Sequence, residues 1–154
     1  MKPAKEKIYF DICALGRPYD DQQYSRIEME TIAVPMISAL VKAGKYSLFF
    51  APIHEFELSR NTDAAERVEI IKFLYNYGEN IRLRIKNYEV LEKRTAELSS
   101  LGIGFADSFH VANAEFIGAS FITCDDILIK KCNRHNVGIW FGTPIDFCKK
   151  EGLI

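Results

Sequence analysis

Four carboxylates far apart in the chain, Asp11, Glu57, Asp107 and Asp125, stand where apolar runs give way to loops or where helices begin. Asp11 closes the run Ile8-Tyr9-Phe10, and Glu57 comes just after Leu48-Phe49-Phe50-Ala51. Asp107 opens the helix-like stretch Phe105 to Ile117, and Asp125 follows Phe121-Ile122-Thr123-Cys124. A charge at the end of a buried strand is costly unless something compensates it. A divalent cation, which prefers oxygen ligands, is the compensation that several converging carboxylates would favour.

The elements that must bring these acids together alternate along the chain. Five short runs read as strands: Ile8 to Asp11, Ser47 to Ala51, Ile81 to Leu83, Ala119 to Thr123 and Val137 to Phe141. Their brevity and near-continuous apolarity predict buried parallel strands, with Gly138 weakening the last. Between them lie helical patterns. Asp63 to Tyr77 has Asp63 as N-cap, Glu66 three residues on, an apolar stripe of Val68, Ile71, Leu74 and Tyr75, and Gly78 as a stop. Asn87 caps a second helix in which Tyr88, Leu91, Thr95 and Leu98 share a face, with Gly102 just beyond its end. A third runs from Phe105 to about Ile117 and is closed by Gly118. Asp20 to Ala43 also reads as helical, with Pro35 expected to kink or divide it. Asp126 to His135 and Thr143 to Lys149 complete the series, the last opening on Thr-Pro.

This order predicts one domain over residues 1–154, a three-layer α/β/α sandwich around a central, mostly parallel five-stranded sheet. Ligands in such sheets bind beyond the carboxyl ends of the strands, where the chain reverses its direction across the sheet. A central first strand would bring Asp11 and Asp125 to one crevice, with Glu57 entering from the helix after the second strand and Asp107 from the helix before the fourth.

Composition narrows the classes of partner. The chain has 154 residues, 48% of them hydrophobic, which suffices for one core. With 20 basic against 21 acidic residues the formal net charge is −1, so no global field draws the protein to nucleic acid or lipid. Any polyanion must be held locally. The charged segment Met1 to Lys7 lacks an apolar core, and no later run reaches the length of a membrane span, so a soluble cytoplasmic protein without a membrane partner is expected. Cys13, Cys124, Cys132 and Cys148 form no CxxC pair and no zinc-like grouping with the histidines, which predicts reduced thiols partly in the core.

Taken together, these pieces resemble a PIN domain, the fold shared by prokaryotic toxin ribonucleases of the VapC type and by eukaryotic RNA-processing nucleases. The resemblance spans nearly the whole chain. It is carried by Ile8-Tyr9-Phe10-Asp11, by Glu57 followed by Ser59-Arg60-Asn61, by Phe105-Ala106-Asp107-Ser108-Phe109-His110-Val111-Ala112-Asn113-Ala114, and by Phe121-Ile122-Thr123-Cys124-Asp125-Asp126. Arg17-Pro18-Tyr19-Asp20-Asp21-Gln22 further resembles a subset of uncharacterised prokaryotic PIN proteins. The joint order and spacing of these pieces carry the signal, since an Asp after three apolar residues is common. Pro52 stands where many relatives have Ser, and Cys124 separates Thr from Asp, but neither change removes a carboxylate.

The resemblance implies Mg²⁺- or Mn²⁺-dependent hydrolysis of RNA phosphodiesters. Asp11, Asp107 and Asp125 would be direct ligands, Glu57 would complete the quartet directly or through water, and Thr123 would orient Asp125 or the attacking water. Glu55 and Asp126 are the neighbouring alternatives to Glu57 and Asp125, although Asp126 reads better as the cap of the following helix. Implied partners are an RNA substrate, a small antitoxin covering the acidic pocket, and a second copy in a homodimer. An alternative of another class is a catalytically silent PIN-like module that binds RNA or protein. A third is a phosphoryl-transfer domain with Asp11 as nucleophile, against which the missing Asp-x-Asp counts, Cys13 standing in that place.

Other features have plainer readings. His54, His110 and His135 lack paired ligand spacing and read as surface or helix-packing residues, with His110, one turn after Asp107, the one worth testing. Arg17 and Arg60 lie near acids in sequence and could contact phosphate. Arg82-Leu83-Arg84-Ile85-Lys86 and Lys130-Lys131 could guide RNA, but alternation with Ile81, Leu83 and Ile85 equally suits an edge strand protected by charge. Tyr19 and Tyr24 could stack on a base.

Overall fold

A computed structural model describes residues 4–154 of the chain, so the first three residues of the charged segment Met1–Lys7 lie outside it. The strands are β1 (Glu6–Phe10), β2 (Tyr46–Phe50), β3 (Gly78–Asn80), β4 (Ser120–Ile122) and β5 (Phe141–Gly142). The helices are α1 (Ile12–Leu15), α2 (Ser25–Lys42), α3 (Pro52–Ser59), α4 (Ala64–Tyr77), α5 (Tyr88–Ser100), α6 (Phe105–Ile117), α7 (Asp126–Arg134) and α8 (Pro144–Lys150). All strand pairs are parallel, in the order β3-β2-β1-β4-β5.

Side chains alternate across each strand, so the sheet has two buried faces. Ile8, Phe10, Leu48, Phe50 and Ile122 pack beneath Ala33 and Ile37 of α2, Ile70 and Leu74 of α4, and Phe147 of α8. Tyr9, Phe49 and Phe121 face the other way, against Leu91 and Leu98 of α5 and Val111 and Ala112 of α6. The expected three-layer sandwich is therefore present. From β1 the chain steps outward through β2 to β3, then returns past β1 to build β4 and β5. The reversal opens a crevice between the carboxyl ends of β1 and β4, beyond which Asp11 and Asp125 stand.

Local signals act as expected at several ends. The Asp63 carboxylate accepts from the amides of Ala65 and Glu66 at 3.0 and 3.1 Å, and Asn87 accepts from Glu89 at 2.9 Å. Thr143 and Asp146 form a reciprocal capping box. Gly118 closes α6 at φ 72°, a left-handed conformation that suits glycine.

Other expectations are corrected. The third strand is Gly78–Asn80, not Ile81 to Leu83, which instead forms a 3-10 turn capped by Asn80, whose side chain accepts from the Arg82 amide at 3.0 Å. Ile81 is buried while Leu83 is 76% exposed, as a turn allows. Gly78 explains the shift, because α4 passes directly into β3 there. A Cβ at this position would lie 2.6 Å from the Leu74 carbonyl oxygen and 3.0 Å from Phe50 Cδ1. The last strand is Phe141–Gly142 rather than Val137 to Phe141.

Helix α4 turns Ile70 and Leu74 inward and leaves Val68 and Tyr75 exposed, so its buried stripe is rotated from the one expected. Helix α2 begins at Ser25 and is not divided at Pro35. Pro35 lies on its exposed side, where the loss of one helix hydrogen bond is tolerated best. Among the described residues no helix is long and apolar enough to cross a membrane, and all four cysteines are free thiols.

Candidate metal centre

Asp11 follows β1 directly, and its amide continues the sheet by donating to the Ile122 carbonyl at 2.8 Å. Its side chain is 6% exposed and accepts a hydrogen bond from the Thr123 hydroxyl at 2.8 Å. Thr123, at the end of β4, also accepts from the Asp125 amide at 3.1 Å. One buried hydroxyl thus ties together the acid-bearing ends of the two central strands. Thr123 was expected to orient Asp125 or a water; its hydroxyl proton goes to the carboxylate of Asp11, and it meets Asp125 through the backbone.

Glu57 reaches the same point from α3. Its Oε1 contacts Nε2 of His110 on α6. Ligand atoms of Asp11, Glu57 and His110 lie within 4.8 Å of one another, a group able to hold a metal ion. Glu55, the alternative to Glu57, points elsewhere and accepts from the Tyr75 hydroxyl at 2.6 Å. Residues two apart on a helix face different sides, and the structure turns Glu57 towards the crevice.

Asp107 sits half-buried in the first turn of α6, one turn before His110. Burial pushes its carboxyl up to about 6, the negative charges of Asp11, Asp125 and Glu57 push the same way, and His110 opposes them. Asp107 thus senses the charge of the three other acids while lying outside the group of Asp11, Glu57 and His110.

Asp125 lies outside the group of three. It caps α7, its Oδ1 accepting from the amides of Ile127 and Leu128 at 3.0 and 3.1 Å. The cap is therefore Asp125, and the expectation that Asp126 caps α7 is corrected. Asp126, one residue later and outside the cap, forms an exposed ion pair with Arg26 of α2.

The histidines are more deeply placed than expected. His54 and His110 are both fully buried, whereas His135 is half-exposed. His54 accepts from the Ala51 amide at 2.9 Å and donates from Nε2 to the Phe10 carbonyl at 2.6 Å. Burial, reinforced by His110, lowers its pKa to about 3, so it is neutral. It joins the residue before Asp11 to the helix that carries Glu57. Tyr9 packs against both rings and places its hydroxyl 2.7 Å from His110 Nδ1.

Sequence reasoning assigned no site role to Tyr9 or His54. For His110 a signal exists: a histidine three residues after a helical Asp shares its face. For Tyr9 and His54 the partners lie 101 and 44 residues away, beyond any local pattern.

Several of the basic residues that could meet phosphate are engaged. Arg17 and Arg26 both pair with the buried carboxylate of Glu30, at 3.1 and 3.3 Å. Arg26 also holds the Cys124 carbonyl at 3.1 Å. Arg84 pairs with Glu79 at 2.8 Å and Lys131 donates to the Gly102 carbonyl at 2.8 Å. Arg60 is exposed, 4.7 Å from the Phe56 ring centroid. Cys13 accepts from the Cys124 amide at 3.3 Å, and this neighbour together with burial raises the Cys124 thiol far above its ordinary pKa, as expected of packing thiols rather than soft ligands.

No protein-family model matches the chain, and no curated protein does. Solved structures do. The crystal structure of FitAcB from Neisseria gonorrhoeae aligns with a TM-score of 0.52 at 13% identity, over 89% of this chain and 97% of that one. VapBC2 from Rickettsia felis, crystallised bound to a DNA fragment from their promoter, aligns with a TM-score of 0.50 at 14% identity, over 89% and 98%. At these identities the likeness is one of fold. The PIN-like α/β fold read from the sequence is borne out.

Proposed function

We propose that this PIN-like fold carries a metal-dependent ribonuclease site in which Asp11, Glu57, Asp107 and Asp125 hold Mg²⁺ or Mn²⁺. The observation that carries the reading is the meeting of Asp11 and Glu57, 46 residues apart in sequence, with ligand atoms within 4.8 Å at the crevice of the sheet. The donor set fits the ion, because carboxylate oxygens are the ligands that small hard cations prefer. When bound, such an ion would activate water and neutralise charge building on a phosphate.

The chain's own residues have complementary tasks. Thr123 holds the Asp11 carboxylate, and Asp125 spends Oδ1 on the α7 cap, so that in this reading Oδ2 serves the ion. The near-neutral net charge means RNA would be held at the site rather than gathered by a long-range field. Exposed Phe56 and Phe105, with Pro52, Ile53 and Phe109, line an apolar cleft of about 320 Å³ formed by α3 and α6. In this reading a small antitoxin covers the acidic pocket, and a second copy of the chain pairs with this one in a homodimer.

The test is cleavage of single-stranded and structured RNA by the purified chain with Mg²⁺ or Mn²⁺. Cleavage lost in Asp11→Asn and Asp107→Asn supports the reading. Metal-independent cleavage that survives both changes refutes it. The engaged state of Arg17, Arg26, Arg84 and Lys131 favours a second reading, a module that binds without cutting. Calorimetry showing no Mn²⁺ binding at millimolar metal would favour that one.

A further inference from the structure

We propose that Tyr9 and His110 form a buried positioning relay for Glu57, and that His110 presents a proton rather than a lone pair to the metal centre. The inference rests on the metal-site reading above and adds a role for two residues that it leaves unused. The Tyr9 hydroxyl is fully buried, and among the described residues its one hydrogen-bond partner is Nδ1 of His110, at 2.7 Å. A buried hydroxyl proton needs an acceptor, so it is donated to Nδ1. The remaining ring proton then sits on Nε2, the nitrogen that contacts Glu57.

This assignment separates His110 from the carboxylates among which it lies. Its proximity alone would admit it as a nitrogen ligand, but a protonated Nε2 has no lone pair to give a cation. Glu57 accepts that proton at Oε1 and keeps Oε2 for the ion. Buried partners that fix a ligating carboxylate commonly set metal affinity as strongly as the choice of ligand. The surroundings hold the relay rigidly. His54 lies with its ring centroid 4.8 Å from those of both Tyr9 and His110, and its own two hydrogen bonds are satisfied. Tyr9 belongs to β1, which leads directly into Asp11, so the relay couples the positions of two acids on different elements.

Two measurements on the wild-type chain test the relay without any variant. Heteronuclear NMR of the metal-free protein should find the His110 proton on Nε2, and a neutral Nδ1–H ring would overturn the proposal. Pulsed EPR of the Mn²⁺-loaded protein should show no directly bound ¹⁴N, and a ligand-type nitrogen coupling would overturn it. Variants add the functional readout. His110→Leu should weaken Mn²⁺ binding by about 10–100-fold, and His110→Gln, whose amide can donate from nearly the same place, should recover most of it. Unchanged affinity in a folded His110→Leu protein would sink the positioning role. A wild-type chain that takes up no Mn²⁺ would sink the metal reading itself, and with it the task assigned to the relay.

Discussion

The hydroxyl of Thr123 donates to the carboxylate of Asp11 across 2.8 Å, joining residues 112 apart in sequence at the ends of two adjacent parallel strands. Removing the hydroxyl leaves a 6%-exposed carboxylate short of a donor and the Asp125 amide short of an acceptor. Thr123→Val should therefore destabilise the protein by about 1–3 kcal/mol and lower Mn²⁺ affinity by about tenfold or more. Thr123→Ser should preserve both. Denaturant melts and calorimetry check this, and wild-type Mn²⁺ affinity in the Val variant would detach Thr123 from the site.

Glu57 and Glu55 give a paired prediction. Glu57→Gln should abolish measurable Mn²⁺ binding, because it neutralises an oxygen donor that reaches Asp11. Glu55→Gln should leave binding intact and cost less than about 1 kcal/mol, since it touches only an exposed hydrogen bond with Tyr75. The reverse pattern would reassign the acid.

Asp107 links metal binding to stability. Its carboxyl is pushed up to about 6 in the folded chain, against an ordinary value of 3.8. The folded state thus binds this proton more tightly than the unfolded one, and the stability it contributes is full below about 3.8 and lost as pH rises through 6. At pH 7 the metal-free site carries repulsion that Asp107→Asn relieves. That variant should be more stable than wild type at pH 7 by on the order of 1 kcal/mol after allowance for partial exposure, and the gap should close by pH 4. It should also bind no Mn²⁺. Equal denaturation midpoints at pH 7 would argue against a crowded acidic pocket.

His54 acts in the opposite sense. Its pKa falls from 6.5 to about 3 on folding, so its contribution is fully present above about 6.5 and is lost as pH falls towards 3. Wild-type stability should carry an acid-dependent loss in that window, visible as proton uptake on unfolding. His54→Leu should remove that uptake and leave the Phe10 carbonyl and Ala51 amide unpaired, at a cost of about 1–3 kcal/mol for each group. Unfolding titrations between pH 7 and 5 in both proteins decide it.

Gly78 is the backbone test. An added Cβ would meet the Leu74 carbonyl at 2.6 Å, and backbone cannot swing aside as a side chain can. Gly78→Ala should lower stability by about 1–3 kcal/mol. A thermal melt matching wild type would show that α4 and β3 can separate there.

Much of this protein is legible locally. Asp63, Asn87 and Thr143 announce helix starts because a cap needs only an acceptor within three residues of free amides. The runs around Ile8, Leu48 and Phe121 announce buried strands because apolarity on both faces demands cover from both sides. The acids beyond them announce a site because parallel sheets bind ligands at that edge. Local pattern leaves choices open at the α4 stripe and at the third strand, and there the structure differs. Adjacent isoleucines, Ile70 and Ile71, compete for the core, and the three residues of β3 carry no apolar run at all.

From the sequence alone, then, came the layered fold, the sheet edge at which the acids were sought and the expectation of a hard cation there. Tertiary structure decided which atoms meet. It brought Glu57 to Asp11 and His110 and set Glu55 against Tyr75, made Asp125 the cap of α7 and gave the proton of Thr123 to Asp11. It also set Tyr9, His54 and His110 beneath the pocket. The physical reason is range: caps and periodicities act within a turn or two, whereas these hydrogen bonds join residues 44 to 112 apart and exist only once the strands lie side by side.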